Sequence, residues 1–314
     1  MELGAQMTTA SPGDGTRFDG TRFAMIASGS DGNAAVLQSA ETLLLIDAGV
    51  SYPRLVAGLA RLGLVPQQLS AILLTHEHGD HVCGLAALLR RHRCPVATTR
   101  ETRQGLGRRR DLRSQAAAEW IDLRPGQPSW VGGLEVLAFR TSHDARGPVG
   151  YRVEAKGARL AYATDTGHAT PELLEAAAGC DLLALEANHC PDLLRHGPYP
   201  RRLKERVASD RGHLSNQQAA EVLGAAVSAR LRAVLALHIS KINNHPDLAM
   251  GALAAGLADA GSEARCLAVG RYGSGWIDCQ TSGTHGRANE DGPKPHALGE
   301  TGAGAASSGR SASR

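Results

Sequence analysis

The sequence predicts an α/β protein built from layers of strands and helices. Hydrophobic residues make up 42% and charged residues 21% of its 314 residues, which is the balance of a globular chain long enough to bury a core. Short apolar runs that end at polar residues are typical of buried strands. Ala- and Leu-rich stretches separate several of these runs, and this alternation indicates a layered α/β architecture.

Six apolar runs are predicted to form strands because each is short and ends at a polar or charged residue. In chain order they are TLLLID (42–47), AILLTH (71–76), LEVLAFRTSH (134–143), RLAYATD (159–165), DLLALEANH (181–189) and AVLALH (233–238).

Four stretches are predicted to form helices. They are VCGLAALLRRH (82–92), PELLEAAAG (171–179), NQQAAEVLGAAVSARL (216–231) and PDLAMGALAAGLADAG (246–261). The second and fourth begin with Pro and end with Gly, the residues favoured at the first helical position and just past the last one.

The two ends of the chain differ in composition from the middle. Residues 281–314 are nearly all Gly, Ala, Ser, Pro and charged residues, without a period of aliphatic side chains that could be buried. The segment 1–20 has the same character. We therefore expect a disordered N-terminal segment over 1–20, one folded domain over 21–280 and a disordered tail over 281–314.

Charge and cysteine content narrow the class of protein. The formal net charge is +3, so the chain is no global polycation and affinity for nucleic acid would have to come from local patches. Six cysteines are scattered without a C-x-x-C pair or a secretory signal, which favours reduced thiols and a cytoplasmic location. No uncharged apolar run reaches about 18 residues, so we expect no membrane-spanning segment.

One string of residues carries potential metal ligands at a density that core packing does not explain. Directly after the predicted strand AILL, the segment 75–81 reads T-H-E-H-G-D-H. If Asp80 and His81 begin the helix predicted over 82–92, neighbouring side chains diverge by about 100°. The string is therefore expected to serve two ions, with His76 and His78 at one and Asp80 and His81 at the other.

Three later residues, His143, Asp165 and His238, end predicted strands as His76 does. If these strand ends share one edge, the first ion takes His76, His78 and His143, the second takes Asp80, His81 and His238, and Asp165 bridges them. Imidazole and carboxylate ligands without a thiolate are typical of catalytic zinc, manganese or iron. We expect two divalent ions per chain, Zn²⁺ or Mn²⁺, with iron as an alternative.

These motifs resemble the metallo-β-lactamase superfamily over nearly all of 21–280. Several phrases are similar to its YycJ/WalJ-like bacterial metallohydrolases: ASGSDGNA (27–34), LLIDAG (44–49), TSHDA (141–145), TDTG (164–167), LEANH (185–189), GHLSN (212–216) and LALHISKINN (235–244). One departure is Cys190, where the resemblance leads us to expect Asp.

The resemblance implies a four-layer αββα sandwich and an exonuclease-like activity. It makes Asp47 a residue that orients the motif loop, where the alternative is a simple turn former. Asp165 stands where the antibiotic-hydrolysing branch uses cysteine, which argues against a β-lactamase. The 73 residues from Asp165 to His238 are too few for the extra domain that other nucleic-acid-processing relatives have at this point. A nucleic-acid substrate would therefore be bound by the core domain itself, by a partner or by a second subunit.

Further residues are candidates for catalysis and substrate binding. His189 and His213 are candidate general acids, alongside Asp80 in the catalytic set, although ordinary core or surface histidines are the alternative for both. Ser30 and Asn33 of the glycine-rich loop are expected to bind substrate, or else form a simple turn. Donors that suit a phosphate follow His238 at Ser240, Lys241, Asn243 and Asn244, and the alternative is a bare loop before a helix.

Two basic runs, Arg100–Arg113 and Arg195–Arg211, each hold six cations against two carboxylates. Charge runs are usually solvated faces, but they also fit contact with a nucleic-acid backbone. In the first run, the residues predicted to contact the substrate are Arg108, Arg109 and Arg110.

The predicted function is therefore phosphodiester hydrolysis through a metal-bridging hydroxide, with DNA digested from an end. The alternatives are a small-molecule hydrolase acting on a cyclic phosphodiester, thioester or lactone, and a non-catalytic metal-binding module, against which the complete ligand set argues. The sequence leaves the oligomeric state open, with a dimer as one alternative.

Overall fold

Two seven-stranded β-sheets form the centre of the molecule, which is a computed structural model that describes residues 18–109, 112 and 118–280. The strands of the first sheet are β1 (Phe18–Ala27), β2 (Ala34–Ala40), β3 (Thr42–Ile46), β4 (Ala71–Leu73), β5 (Val96–Thr99), β6 (Trp120–Leu123) and β14 (Ile277–Asp278). Their order is β14-β1-β2-β3-β4-β5-β6. Pairing is antiparallel from β14 to β3 and parallel from β3 to β6.

The second sheet repeats this mixed arrangement. Its strands are β7 (Pro128–Val131), β8 (Leu134–Arg140), β9 (Val149–Ala155), β10 (Ala158–Ala163), β11 (Leu182–Glu186), β12 (Ala233–Leu237) and β13 (Arg265–Ala268). Their order is β13-β12-β11-β10-β9-β8-β7. Pairing is antiparallel from β7 to β10 and parallel from β10 to β13.

Helices cover the outer faces of both sheets. They are α1 (Tyr52–Arg61), α2 (Gly79–Val82), α3 (Leu85–Leu89), α4 (Arg100–Leu106), α5 (Pro171–Ala177), α6 (Pro191–His196), α7 (Arg201–Val207), α8 (Asn216–Ala226) and α9 (Pro246–Asp259), with a 3₁₀ turn at Pro66–Gln68. No helix among the described residues is long and apolar enough to span a membrane.

Three buried clusters define the layers. The central cluster joins the facing sides of the two sheets, with Leu44 from β3 packed in the same cluster as Leu235 from β12. A second cluster lies between the first sheet and helices such as α1, which contributes Leu55. A third lies between the second sheet and α5, α8 and α9. The order helix, sheet, sheet, helix confirms the αββα sandwich.

All six predicted strands are present, but the helix predicted over 82–92 is wrong in its length. The structure has two short helices there, α2 and α3, with a break at Cys83 and Gly84. Two carbonyls that would continue the helix are already used: Asp80 O accepts from Asn33 N at 2.8 Å and His81 O accepts from Ala48 N at 2.8 Å. Neighbouring loops thus take the hydrogen bonds of the helix.

Two other predicted boundaries also differ. The helix predicted over 216–231 ends at Ala226, where Val227 turns the chain and Leu231 joins the third cluster. The strand β1 begins at Phe18, so the last three residues of the segment 1–20 belong to a strand. Residues 1–17 and the predicted tail 281–314 lie outside the described residues.

Candidate metal centre

The seven predicted ligands meet where strands of the two sheets end. His76 follows β4, Asp165 follows β10, and His238 comes directly after β12. Three of these positions belong to loops that begin at the carboxyl ends of parallel-paired strands, which lie at one edge of a sheet. The topology therefore places residues from distant parts of the chain in one site.

The first group of ligands is His76, His78 and His143. One ring nitrogen from each residue lies within 4.8 Å of the others. The ring centroids of His76 and His78 are 4.7 Å apart, and those of His78 and His143 are 5.1 Å apart. This is the set expected for the first ion.

The second group is Asp80, His81 and His238, whose ligand atoms also lie within 4.8 Å of one another. Asp80 Oδ2 is 3.6 Å from His81 Nε2 and 3.6 Å from His238 Nε2. Asp80 and His81 begin α2 as expected, and the structure brings both side chains toward His238.

Asp165 lies between the two groups and is buried. Its Oδ2 is 3.1 Å from His81 Nε2 in the second group, and its Oδ1 is 3.7 Å from His143 Nε2 in the first. Burial alone would raise the pKa of Asp165, but the charges of His238 and His81 hold it well below its usual value. A carboxylate kept ionised between two sets of imidazoles suits a bridging ligand.

Hydrogen bonds orient the imidazole rings so that Nε2 faces the centre. Nδ1 of His81 donates to Asp47 Oδ2 at 2.8 Å, and Nδ1 of His143 donates to the Gly212 carbonyl at 3.1 Å. Nδ1 of His238 donates to Glu186 Oε1 at 3.1 Å. Histidines that bind metals usually hold their second nitrogen in this way.

The donor set fits divalent metal ions. The Nε2 atoms of His76 and His238 are buried and have no hydrogen-bond partner among the described residues. A buried polar atom without a partner is costly, and a cation between these nitrogens and Asp165 would satisfy them. Imidazoles and carboxylates are ligands that zinc, manganese and iron share.

Asp47 lies beneath the motif loop, as its predicted role requires. Its Oδ1 accepts from Thr75 N at 2.9 Å, and its Oδ2 accepts from Thr75 Oγ1 at 2.9 Å in addition to His81. Asp47 is fully buried, and it ties the end of β3 to the first residue of the motif. It therefore holds His81 and the motif loop from a buried position.

Glu186 is a functional residue that sequence reasoning missed, although it lies in the phrase LEANH. It is fully buried at the end of β11 and accepts from His213 Nδ1 at 2.7 Å. Burial would raise the pKa of Glu186, but His213 and His238 lower it to about 2. The signal available in the sequence was an acidic residue closing an apolar strand. The structure shows that this strand pairs with β12, which is followed directly by His238.

The pKa values of the two candidate general acids shift in opposite directions. Burial disfavours the charged form of His213, yet Glu186 raises the pKa of its ring above the ordinary value. Burial lowers the pKa of His189 to about 4. His189 Nδ1 is buried without a hydrogen-bond partner among the described residues. His213 therefore retains a proton near neutral pH more readily than His189 does.

Two of the predicted substrate contacts are buried. Asn33 is 0% exposed; its Oδ1 accepts from Gly29 N at 2.9 Å and its Nδ2 lies 3.1 Å from His81 Nε2. Asn243 is 1% exposed. Both side chains are as buried as most of the proposed metal ligands, so their contact with a substrate stays a prediction.

The other predicted contacts lie nearer the surface. Ser30 is exposed, and Lys241 forms an ion pair with Asp31, which joins the glycine-rich loop to the loop after His238. Ser240 is mostly buried, and its Oγ accepts from Asn243 N at 3.1 Å. Ser30 and Lys241 are thus the members of this set with accessible polar atoms.

Both basic runs approach the ligand loops. A Cβ added to Gly79 would lie 4.0 Å from Arg109 Nη1, so this guanidinium is beside the motif, and Arg108 is exposed next to it. Arg110 lies outside the described residues. In the second run, Arg206 pairs with Asp144 at 2.8 Å, directly after His143.

A family model agrees with this architecture. The model described as a beta-lactamase superfamily domain matches residues 42–239, which include the whole motif and every proposed ligand. The chain belongs to the metallo-β-lactamase superfamily. Divalent metal ions are therefore the cofactors that its histidine and aspartate clusters hold.

Named relatives place the chain more narrowly within the metallo-β-lactamase superfamily. It is 34% identical to Exodeoxyribonuclease WalJ of Streptococcus pneumoniae over 73% of this chain and 86% of that protein. It is 32% identical to Exodeoxyribonuclease YycJ of Bacillus anthracis over the same shares. The metallo-beta-lactamase fold protein YhfI from Bacillus subtilis has the same fold, with a TM-score of 0.63 and 18% identity, over 83% of this chain and 100% of that one. The chain is a YycJ/WalJ-like member of the superfamily.

Proposed function

We propose that this protein is a metal-dependent exonuclease that digests DNA from an end. The observation that carries the proposal is the pair of ligand groups on either side of Asp165, in a chain about one-third identical to two exodeoxyribonucleases. We further propose that the centre holds two ions, Zn²⁺ or Mn²⁺, with iron as the alternative, and that the protein acts in the cytoplasm.

His76, His78 and His143 would hold one ion, and Asp80, His81 and His238 the other, with Asp165 shared. When bound, the ions would polarise a phosphoryl oxygen and lower the pKa of a water molecule toward about 7. This chemistry needs no Ser or Cys nucleophile. Asp47 and Glu186 hold the imidazoles in place through His81 and His238.

His213 is the proposed proton donor for the leaving oxygen. Glu186 accepts from its Nδ1 and so fixes the ring, and His213 Nδ1 lies 3.7 Å from Asp165 Oδ1. The raised pKa of His213 supports this role, because an alkoxide leaves poorly unless it is protonated. The lowered pKa of His189 supports a neutral ring and argues against it as the donor.

The basic run beside the motif supports a polyanionic substrate. Changing Arg108, Arg109 and Arg110 to Ala should weaken binding of DNA and reduce the slope of log K against log salt by about 0.7–0.9 for each lost phosphate contact. Hydrolysis of bis(p-nitrophenyl) phosphate, which has a single phosphate and no backbone of neighbouring phosphates for the arginines to contact, should hardly change. Affinity at several salt concentrations and the rate on the small ester measure the two effects.

The matched control is Arg90→Ala with Arg93→Ala, two exposed arginines in the connection that leads from α3 to the start of β5. These changes should leave DNA binding as it is. His76→Ala should abolish the hydrolysis of both DNA and bis(p-nitrophenyl) phosphate. Equal losses on both substrates in the triple variant would make the arginines structural. If the wild-type protein degrades no nucleic acid with zinc, manganese, cobalt or iron, the small-molecule hydrolase replaces this proposal.

A further inference from the structure

A fixed turn near the end of the described chain presents an exposed aromatic ring. Tyr272 is 74% exposed. The next residue, Gly273, has φ +77°, and a Cβ there would lie 2.1 Å from Met25 O in β1, so the turn admits no larger residue without a shift. Ser274 N donates to Met25 O at 2.8 Å, and Ser274 Oγ accepts from Met25 N at 3.0 Å. These bonds fasten the turn to β1.

Arginines of α1 hold the same turn from the other side. Arg61 Nη2 donates to the Tyr272 carbonyl at 2.7 Å, and Arg54 Nη2 donates to the Arg271 carbonyl at 3.2 Å. The guanidinium carbon of Arg271 lies 5.1 Å from the centroid of the Tyr272 ring. An exposed ring with a cation beside it thus stands on a backbone fixed by several hydrogen bonds.

This turn is connected to the metal centre. The strand β1 runs from Met25 toward Ser28, whose Oγ accepts from the backbone N of the ligand His238 at 2.8 Å. Three residues further on, Asp31 pairs with Lys241, and this bond lowers the pKa of Asp31. The charges of Arg271 and Arg54 lower it further, which places these cations within electrostatic reach of the glycine-rich loop.

We propose that Tyr272 and Arg271 form a platform on which a base of single-stranded DNA stacks outside the metal centre. The proposal rests on the exonuclease function and names a subsite for its substrate. An aromatic face beside an arginine stacks on any base, and the cations Arg54, Arg61 and Lys241 complement the phosphate backbone. Because a base in a duplex is already stacked on its neighbours, the platform selects an unpaired end.

A second exposed aromatic residue provides a control. Trp130 is 73% exposed in β7, and the hairpin that follows it brings Gly132 against Thr42, at the start of β3. The metal centre lies beyond the other end of β3, because Asp47 follows this strand. Trp130 therefore has similar exposure without the connection to the centre.

The test measures affinity of the metal-loaded full chain for a 20-nucleotide oligothymidine with phosphorothioate linkages, which resist hydrolysis, and for a hairpin duplex with the same linkages. Tyr272→Ala should weaken binding of the single strand by about fivefold to a hundredfold, the range that loss of one stacked base produces. Tyr272→Phe should retain affinity within about twofold, and Trp130→Ala should match the wild type. Fluorescence of 2-aminopurine in the strand should be quenched by the wild type and less by Tyr272→Ala.

The outcomes separate this proposal from the function on which it rests. If the wild type binds and degrades DNA but Tyr272→Ala binds the single strand equally well, the platform is wrong and the exonuclease stands. Equal losses on the single strand and the duplex would contradict base stacking. If the wild type neither binds nor degrades DNA, both proposals fail.

Discussion

Three residues of the centre stand on left-handed backbone, which non-glycine residues rarely adopt. Asp47, Asp165 and His238 have φ values of 60°, 56° and 53°. Each such conformation costs on the order of 1 kcal/mol and persists where surrounding contacts hold it. Here the side chains of all three are buried and contact other residues of the metal centre. The strained backbone positions therefore lie at the predicted metal site.

Asp165→Ala should lower the metal content from about two equivalents per chain to roughly one or fewer. The reason is that Asp165 carries the negative charge between the two groups of imidazoles, and without it two cations would repel each other across the centre. Elemental analysis of the purified protein measures the ratio.

The control for this variant is Asp192→Ala, which removes an exposed carboxylate on α6. It should keep the metal content of the wild type. Two full equivalents in purified Asp165→Ala protein would remove Asp165 from the bridging role.

At the scale of elements, the motif loop could be predicted in composition but not in shape. The string at 75–81 identified the ligands because their density does not suit a core. The break between α2 and α3 could not be predicted, because it depends on carbonyls of Asp80 and His81 being taken by residues 33 and 48, far away in the sequence. Glu186 was missed for a similar reason, since its partners His213 and His238 come from loops 27 and 52 residues further along the chain.

Gly84→Ala should destabilise the protein and weaken metal binding, because Gly84 lies at this break. An added Cβ would be 2.1 Å from the Val50 carbonyl, and the Gly84 N–H donates to Ala48 O at 2.8 Å. We expect a loss of at least about 1 kcal/mol in the free energy of unfolding. Denaturant unfolding and metal titration measure the two effects.

Gly224→Ala is the matched control, because Gly224 lies inside α8 and its Cβ would meet nothing within 4 Å. This change should be neutral or stabilise by about 0.5–1 kcal/mol, the usual difference between Gly and Ala in a helix. Equal effects of the two substitutions would contradict the close approach at Gly84.

For the molecule as a whole, periodicity predicted six strands but not the sheet to which each belongs. Two of them lie in the first sheet and four in the second. The other eight strands of the described residues carried too little local signal, and partners such as Arg22 and Asp278 lie at opposite ends of this part of the chain. The αββα layering was predicted from the resemblance that the ligand string carries. The string constrains the topology, because the strand ends that carry the ligands must meet.

Global stability should depend on pH through His189. Burial lowers its pKa to about 4 in the folded chain, below the value of about 6.5 expected when unfolded, so the unfolded state binds more protons. The contribution of His189 to the free energy of unfolding is therefore fully present above about pH 6.5 and is lost as the pH falls toward 4. Between pH 7 and 5 the wild type should lose roughly 1–2 kcal/mol more than His189→Gln does.

Denaturant unfolding at several pH values measures this difference, and His196→Gln, at an exposed histidine of α6, is the control that should follow the wild type. Identical pH dependence in wild type and His189→Gln would show that His189 is not kept neutral by burial.

The pairing of β1 with β14 has a consequence for synthesis on the ribosome. The outer edge of β1 acquires its partner when Ile277 pairs with Phe23, long after β2 has covered the other edge. At about 5–20 residues per second, that edge waits on the order of 10–50 s for its last strand. An open edge of this kind is a template for pairing with another chain. The nascent protein is therefore most exposed to misassembly before β14 emerges, and slow translation of the segment that precedes β14 would lengthen that interval.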